Sequence, residues 1–228
     1  MRIAVLGTGM VGRTLASRLD ELGHDVRIGT RDVDASLARR APTGGDDEEF
    51  GDWADRHAAV TVAAFADAAA GAEIVVNATS GQASIPVLSA VGEGNLAGVV
   101  LLDVSNPLDF SQGFPPTLSV KDTDSLGEQI QRAFPDARVV KTLNTMTAEL
   151  MARPRQLADG QHTVFVSGDD SDAKSVATGL LTSMGHTDVI DLGGIATSRG
   201  TEMFLPLWLR MMGALGTAMF NIKVVRAP

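Results

Sequence analysis

Residues 2–6 (Arg-Ile-Ala-Val-Leu) form a nearly unbroken apolar run that ends on Gly7-Thr8-Gly9-Met10-Val11-Gly12. A strand apolar on successive residues has both faces covered, the situation of a parallel strand held between helices. The residues after the glycines carry a helical stripe, with Val11, Leu15, Ala16, Leu19 and Leu22 on one side and Gly23 placed to cap the C-terminus. G-x-G-x-x-G between a strand and a helix has specific physical content. Gly7 permits a tight turn, Gly9 lets the backbone approach a diphosphate, and Gly12 lets the helix lie close to the strand. The N–H groups and the positive end of that helix would then face phosphates. The spacing predicts a dinucleotide-binding turn; a plain glycine-rich corner is the alternative.

The pattern repeats downstream. Strands are expected over residues 24–29, 60–62, 73–78, 98–104 and 137–143, with a helix over 125–134. Strands alternating with helices imply right-handed crossovers, hence an α/β, Rossmann-type, doubly wound and mostly parallel sheet. After about residue 145 come a short helix at 147–151, a strand at 162–167, a helix at 171–184, a strand at 188–192 and apolar helices to the end. We assign residues 1–145 to the dinucleotide-binding domain and 146–228 to a smaller α/β C-terminal subdomain serving an acceptor pocket, a dimer contact or both. The acidic, glycine-rich stretch at 42–57 reads as a surface loop.

Composition narrows the function. The 228 residues hold 44% hydrophobic and 21% charged side chains, enough to bury a core. With no cysteine, disulfides and thiolate chemistry are excluded. Asp+Glu outnumber Lys+Arg 28 to 19, a net charge of -9 that repels a phosphate backbone, so no nucleic-acid partner is expected. The N-terminal apolar run is too short for a secretory signal, and the Met-rich segment 203–225 contains Pro206, Arg210, Asn221 and Lys223. No membrane association is expected, and the expected location is cytoplasmic. His24, His57, His162 and His186 lack metal-ligand spacing and read as surface or strand-end residues. Neither a G-x-S-x-G elbow nor a P-loop is present.

The end of the second strand distinguishes the nucleotides. An acidic residue there holds the ribose 2′-hydroxyl of NAD, whereas this chain has Ile28-Gly29-Thr30-Arg31-Asp32. Thr30 offers a hydroxyl and Arg31 a guanidinium that pairs bidentately with phosphate, which favours NADP. An Arg31–Asp32 surface pair is the competing reading.

With those residues in hand, the chain resembles the coenzyme F420-dependent NADP oxidoreductases, and also the cytosolic domain of the six-transmembrane metalloreductases. Besides the glycine motif, the blocks that carry the likeness are Gly29-Thr30-Arg31-Asp32, Val76-Asn77-Ala78-Thr79, Asp103-Val104-Ser105-Asn106-Pro107 and Val140-Lys141-Thr142-Leu143-Asn144-Thr145. Val166-Ser167-Gly168-Asp169-Asp170 and Asp191-Leu192-Gly193-Gly194 extend it towards the end of the chain. The resemblance implies an NADPH site in which Thr8, Thr30 and Arg31 hold the 2′-phosphate, while Gly9, Met10 and Val11 line the diphosphate and nicotinamide side. It further implies that Ala78 and Thr79 approach the adenosine or ribose, and that Asn106, Pro107, Asn144 and Thr145 border the nicotinamide pocket. Some members add a basic residue a few positions after the Thr-Arg pair. Here Ala35 stands nearby, with Arg39 and Arg40 further on, which implies a weaker grip on the phosphate.

The expected activity is hydride transfer between NADP(H) and a small-molecule acceptor, either F420 or a flavin. Ring-to-ring transfer needs no obligatory side-chain acid, which suits a chain without Tyr. The alternatives are an NADP-binding sensor and a small dehydrogenase acting on a carbonyl or imine. Met203, Phe204, Leu207, Trp208, Met211 and Met212 form an apolar stripe that reads as core or dimer surface rather than as ring contact, and a homodimer is expected. In the same tail, Lys174 reads as a solvated helix-face residue.

Overall fold

The computed structural model describes residues 1–41 and 48–227. The chain opens with strand β1 (Arg2–Leu6), helix α1 (Met10–Glu21), β2 (Asp25–Thr30), and helices α2 (Val33–Leu37) and α3 (Phe50–Arg56). Next come β3 (Thr61–Ala64), α4 (Phe65–Ala69), β4 (Ile74–Asn77), α5 (Gly81–Val91), α6 (Glu93–Leu96) and β5 (Val100–Asp103). A small antiparallel hairpin, β6 (Leu108–Asp109) with β7 (Thr117–Leu118), precedes α7 (Leu126–Ala133) and β8 (Arg138–Thr142). Helix α8 (Ala148–Ala152), β9 (Thr163–Ser167), α9 (Ser171–Met184), β10 (Asp188–Asp191), α10 (Ser198–Met203) and α11 (Leu205–Leu215) complete it.

Eight strands form one sheet in the order β10-β9-β8-β5-β4-β1-β2-β3. Every pairing is parallel except β8 with β9, where Lys141 lies opposite Ser167. Strand order reverses beside β1, whose neighbours are β2 and β4, and such a reversal opens a crevice above the C-terminal strand ends. Both faces are covered. Ile3, Val5 and Val76 pack towards α1 and α9, while Ala4, Leu6 and Val75 pack towards α4, α5 and α7. This is the expected doubly wound architecture, and β9 and β10 from the later part of the chain extend the same sheet.

Several local expectations are corrected. Within the stretch expected as a loop, residues 42–47 lie outside the described residues, but Phe50–Arg56 is helix α3, with Phe50 and Trp53 buried. The Trp53 indole donates to Ser17 at 3.1 Å, so the aromatic pair pins this helix onto α1 despite its acidic surroundings. The tail is not helical to its end. Beyond Leu215 it runs irregularly along β9, where the Thr163 N–H donates to the Ile222 carbonyl at 2.9 Å. Lys174 is not solvated: it pairs with Asp191 at 2.9 Å and is largely covered. His162 and His186 are buried, in edge contact with ring centroids 6.1 Å apart, and each holds a carbonyl, of Pro154 and Met151 respectively, at 3.0 Å.

Beneath the sheet's C-terminal edge lies a charged cluster. The Lys141 ammonium, fully buried, contacts Asp103 at 2.8 Å, Glu202 at 2.9 Å and the Ser105 carbonyl at 2.7 Å. Burial alone would push that ammonium down, but the attraction of Asp103 and Glu202 outweighs it and holds Lys141 above its ordinary value. Glu202 also accepts the N–H groups of Leu126 and Gly127, so α10 is tied simultaneously to β8 and to the start of α7.

Two measurements follow from these contacts. Lys141→Met should cost about 3–5 kcal/mol in denaturant titrations, because two carboxylates are left buried without their counter-ion. A loss under about 1 kcal/mol would show that the carboxylates escape to water. For His186, burial pushes the imidazole down to about 4, opposed by the Met151 carbonyl and reinforced by His162. An unfolded chain binds that proton near 6.5, so stability is complete above that pH and falls as pH drops from about 6.5 to about 4. Urea midpoints at pH 7 and pH 5 should show this drop, and His186→Gln should make it smaller.

Candidate active site

The turn after β1 is built by absences of Cβ. Gly7 sits at φ +115°, and a side chain there would meet the Ala78 carbonyl oxygen at 2.8 Å. At Gly12 a Cβ would lie 1.9 Å from the Gly7 carbonyl oxygen, so only glycine lets α1 rest on the turn. Gly9 differs: nothing lies within 4 Å of where its Cβ would be. That open space stands above the N-terminus of α1, which has no side-chain cap and no carboxylate in its first turn. A cradle of bare backbone facing uncapped N–H groups fits a diphosphate.

Around this turn the strand ends gather the residues singled out from sequence. A cleft of about 610 Å³ is lined by Met10, Val11, Ala78, Thr79, Asn106 and Asn144, from four separate connections. Asn106 donates to the Asn144 carbonyl and accepts from the Asn144 amide, both at 2.9 Å, which joins the ends of β5 and β8. Below Thr79, its hydroxyl donates to Asn77 at 2.7 Å, and Asn77 donates to Asp103 at 2.9 Å. The polar cluster around Lys141 thus reaches the cleft wall through Asp103 and Asn77. Pro107 and Thr145 do not line the cleft. Thr145 is buried, and the Pro107 carbonyl accepts the Ser119 N–H at 2.8 Å.

Thr30 and Arg31 lie away from that cleft, at the end of β2. The Thr30 hydroxyl is buried and bonded to Ser36 at 2.6 Å. Asp32 caps α2 by accepting the Ala35 N–H at 2.9 Å, in place of the surface pair with Arg31 that the sequence left open. Arg31 borders a separate slot of about 260 Å³ whose walls include Ala64, Phe65, Ala83 and Val87. The Thr8 hydroxyl accepts from Arg39 at 2.7 Å.

The larger cleft also recruits residues not anticipated. Leu108 and Phe110 arrive from the β6–β7 hairpin, Met146 and Met151 from around α8, and Leu205 and Leu209 from α11. Of the apolar stripe flagged in the tail, Trp208 alone lines the cleft, stacked on Phe220 at 5.3 Å, while Leu207 faces outward. In the sequence, the turn-forming residues around Phe110 in Asp109-Phe110-Ser111-Gln112-Gly113 were the available signal for the hairpin. The only ionisable side chain on the cleft wall among the described residues is Asp109, whose carboxyl is held below its usual value by the Ser111 N–H and hydroxyl. Among the described residues, no helix is long and apolar enough to cross a membrane.

Comparison with known proteins places this geometry. Residues 2–107 match the family described as NADP oxidoreductase, coenzyme F420-dependent. A solved structure from Arthrobacter sp. FB24, carrying a provisional F420-dependent NADP-reductase name, is 61% identical, with a TM-score of 0.94 over 99% of this chain and 100% of that one. The F420-dependent NADP reductase of Methanothermobacter marburgensis is 29% identical over 92% of each chain. Metalloreductase STEAP3 of Rattus norvegicus is 27% identical over 91% of this chain, which spans 38% of that protein's length. The turn, the strand-end residues and these likenesses agree: the chain is an oxidoreductase that belongs to the coenzyme F420-dependent NADP oxidoreductase family.

Proposed function

We propose that this protein transfers hydride between NADP(H) and a flat, fused-ring acceptor, a deazaflavin of the F420 type or a flavin. The observation that carries this reading is the large cleft beside the glycine turn: roomy, walled mainly by apolar side chains, and without a proton donor beyond hydroxyls. Asp109, ionised at neutral pH, cannot serve as an acid there. A fused-ring acceptor takes hydride as a delocalised anion and can pick up its proton from water afterwards, whereas the anion formed from a carbonyl or neutral imine must be protonated as it forms, so a wall of this kind disfavours the small-dehydrogenase alternative. When bound, NADPH would supply the hydride from nicotinamide C4 directly to the acceptor ring.

The chain's own residues then have positional tasks. The bare backbone at Gly9 and the first turn of α1 would hold the diphosphate, and Thr8, Thr30 and Arg31 the adenosine phosphate. The slot beside Phe65 would take the adenine. Ala78, Asn106 and Asn144 would bound the nicotinamide, and Met10 would lie between the rings and solvent. Leu205, Trp208 and Leu209 would exclude water from the far face, where rings must stack about 3–3.5 Å apart for transfer.

The direct test is to mix the protein with NADPH and either F420 or FMN and follow the nicotinamide absorbance. Oxidation of NADPH with one of the two is the expected result; tight NADPH binding without turnover on either would favour a sensor. Arg31→Ala should weaken NADPH binding by roughly tenfold to a hundredfold, the scale of a charge-assisted hydrogen bond, and leave NADH nearly unchanged.

A further inference from the structure

Ala35 stands where some members carry a basic residue, but α2 is short and the chain turns back immediately after it. Arg39, just past the helix, thereby returns to the glycine turn, where its guanidinium donates to the Thr8 hydroxyl at 2.7 Å. Thr8 is one of the residues that the NADP reading already assigns to the adenosine phosphate. A hydroxyl that accepts from a guanidinium keeps its own proton available, and a guanidinium with five donors keeps others. Arg39 and Thr8 together therefore present positive charge and several N–H and O–H donors beside the turn.

The neighbouring helix supports this placement. Arg39 lies over the buried Phe50 ring, 5.5 Å from its centroid, a cation–π contact that orients the guanidinium plane. The Gly51 N–H donates to the Arg39 carbonyl at 2.9 Å, and a Cβ at Gly51 would fall 2.6 Å from that same oxygen. Helix α3 is thus docked on the backbone of Arg39 itself. Its carboxylates are directed elsewhere: Asp52 and Asp55 contact Arg40 at 3.4 and 2.6 Å. Among the described residues, Arg40 is matched with acids while Arg39 is held against the glycine turn.

We propose that Arg39 is a second arginine of the 2′-phosphate site, a specificity-determining residue that replaces the missing basic group near position 35 and is positioned by α3. The inference rests on the NADP reading of the same site. It predicts that selectivity for the 2′-phosphate is shared between Arg31 and Arg39.

Calorimetric titration of the full chain with NADPH, NADH, ADP-ribose and its 2′-phosphate separates the possibilities. Arg39→Ala, an exposed change whose folding circular dichroism can verify, should lower affinity for the two 2′-phosphorylated ligands by roughly tenfold to a hundredfold. It should leave NADH and ADP-ribose essentially unchanged, and Arg39→Lys should restore part of the loss. Gly51→Ala, which removes no phosphate-binding side chain but pushes on the Arg39 backbone, should shift the same selectivity in the same direction. If the unaltered protein prefers the 2′-phosphate and Arg31→Ala abolishes that preference while Arg39→Ala does not, the Arg39 assignment is overturned and the NADP reading stands. Equal losses for all ligands in Arg39→Ala would likewise overturn it, showing a structural role only. An unaltered protein without any 2′-phosphate preference would overturn both.

Discussion

The geometry of the candidate site depends on how closely α1 approaches the turn that precedes it. The Gly12 backbone rests on the Gly7 carbonyl at a distance no side chain would permit, and Gly7 in turn lies against the Ala78 carbonyl at the end of β4. These contacts lock three segments together at the point where strand order reverses. The helix end is consequently aimed at the crevice with its first-turn amides uncovered. The bare cradle is thus a property of backbone packing first, and Asn106 and Asn144 close the cleft it opens onto.

The central sheet was legible because its strands are buried on both faces and so carry short apolar runs at their centres. Residues 2–6, 98–104 and 137–143 contain β1, β5 and β8 almost entire. Elements lacking that signature escaped. Helix α5 carries Gly81 at its start and Pro86 inside, both of which argue against a helix, yet Gly81 is needed because a Cβ there would meet the Asn106 carbonyl at 2.2 Å. Helix α3 was hidden by acidic neighbours, although Phe50 and Trp53 three residues apart are the residues that bury it. The two-residue strands of the hairpin are too short to show any period.

Within the candidate site, sequence located the glycine turn and the strand ends because those positions follow from topology alone. It could not locate the covering wall. Met151, Leu205 and Leu209 are ordinary apolar residues whose approach to the cleft is set by long-range packing, including the ion cluster that ties Glu202 to Lys141. Lys141 itself was visible only as part of a family block, since nothing in a linear pattern indicates that two acids, one of them 61 residues downstream, converge on it. The approach of Arg39 to Thr8 was not foreseen for the related reason that spacing along the chain is a poor guide to spacing across a tight reversal.

The amide of Asn106 is engaged through both its nitrogen and its oxygen with Asn144, a closed handshake between neighbouring strand ends. Where two side chains satisfy each other in this way, that stretch of wall makes few hydrogen-bonding demands on what is laid against it. Discrimination at that stretch would fall to thickness and outline rather than to the hydrogen-bonding edge of a guest.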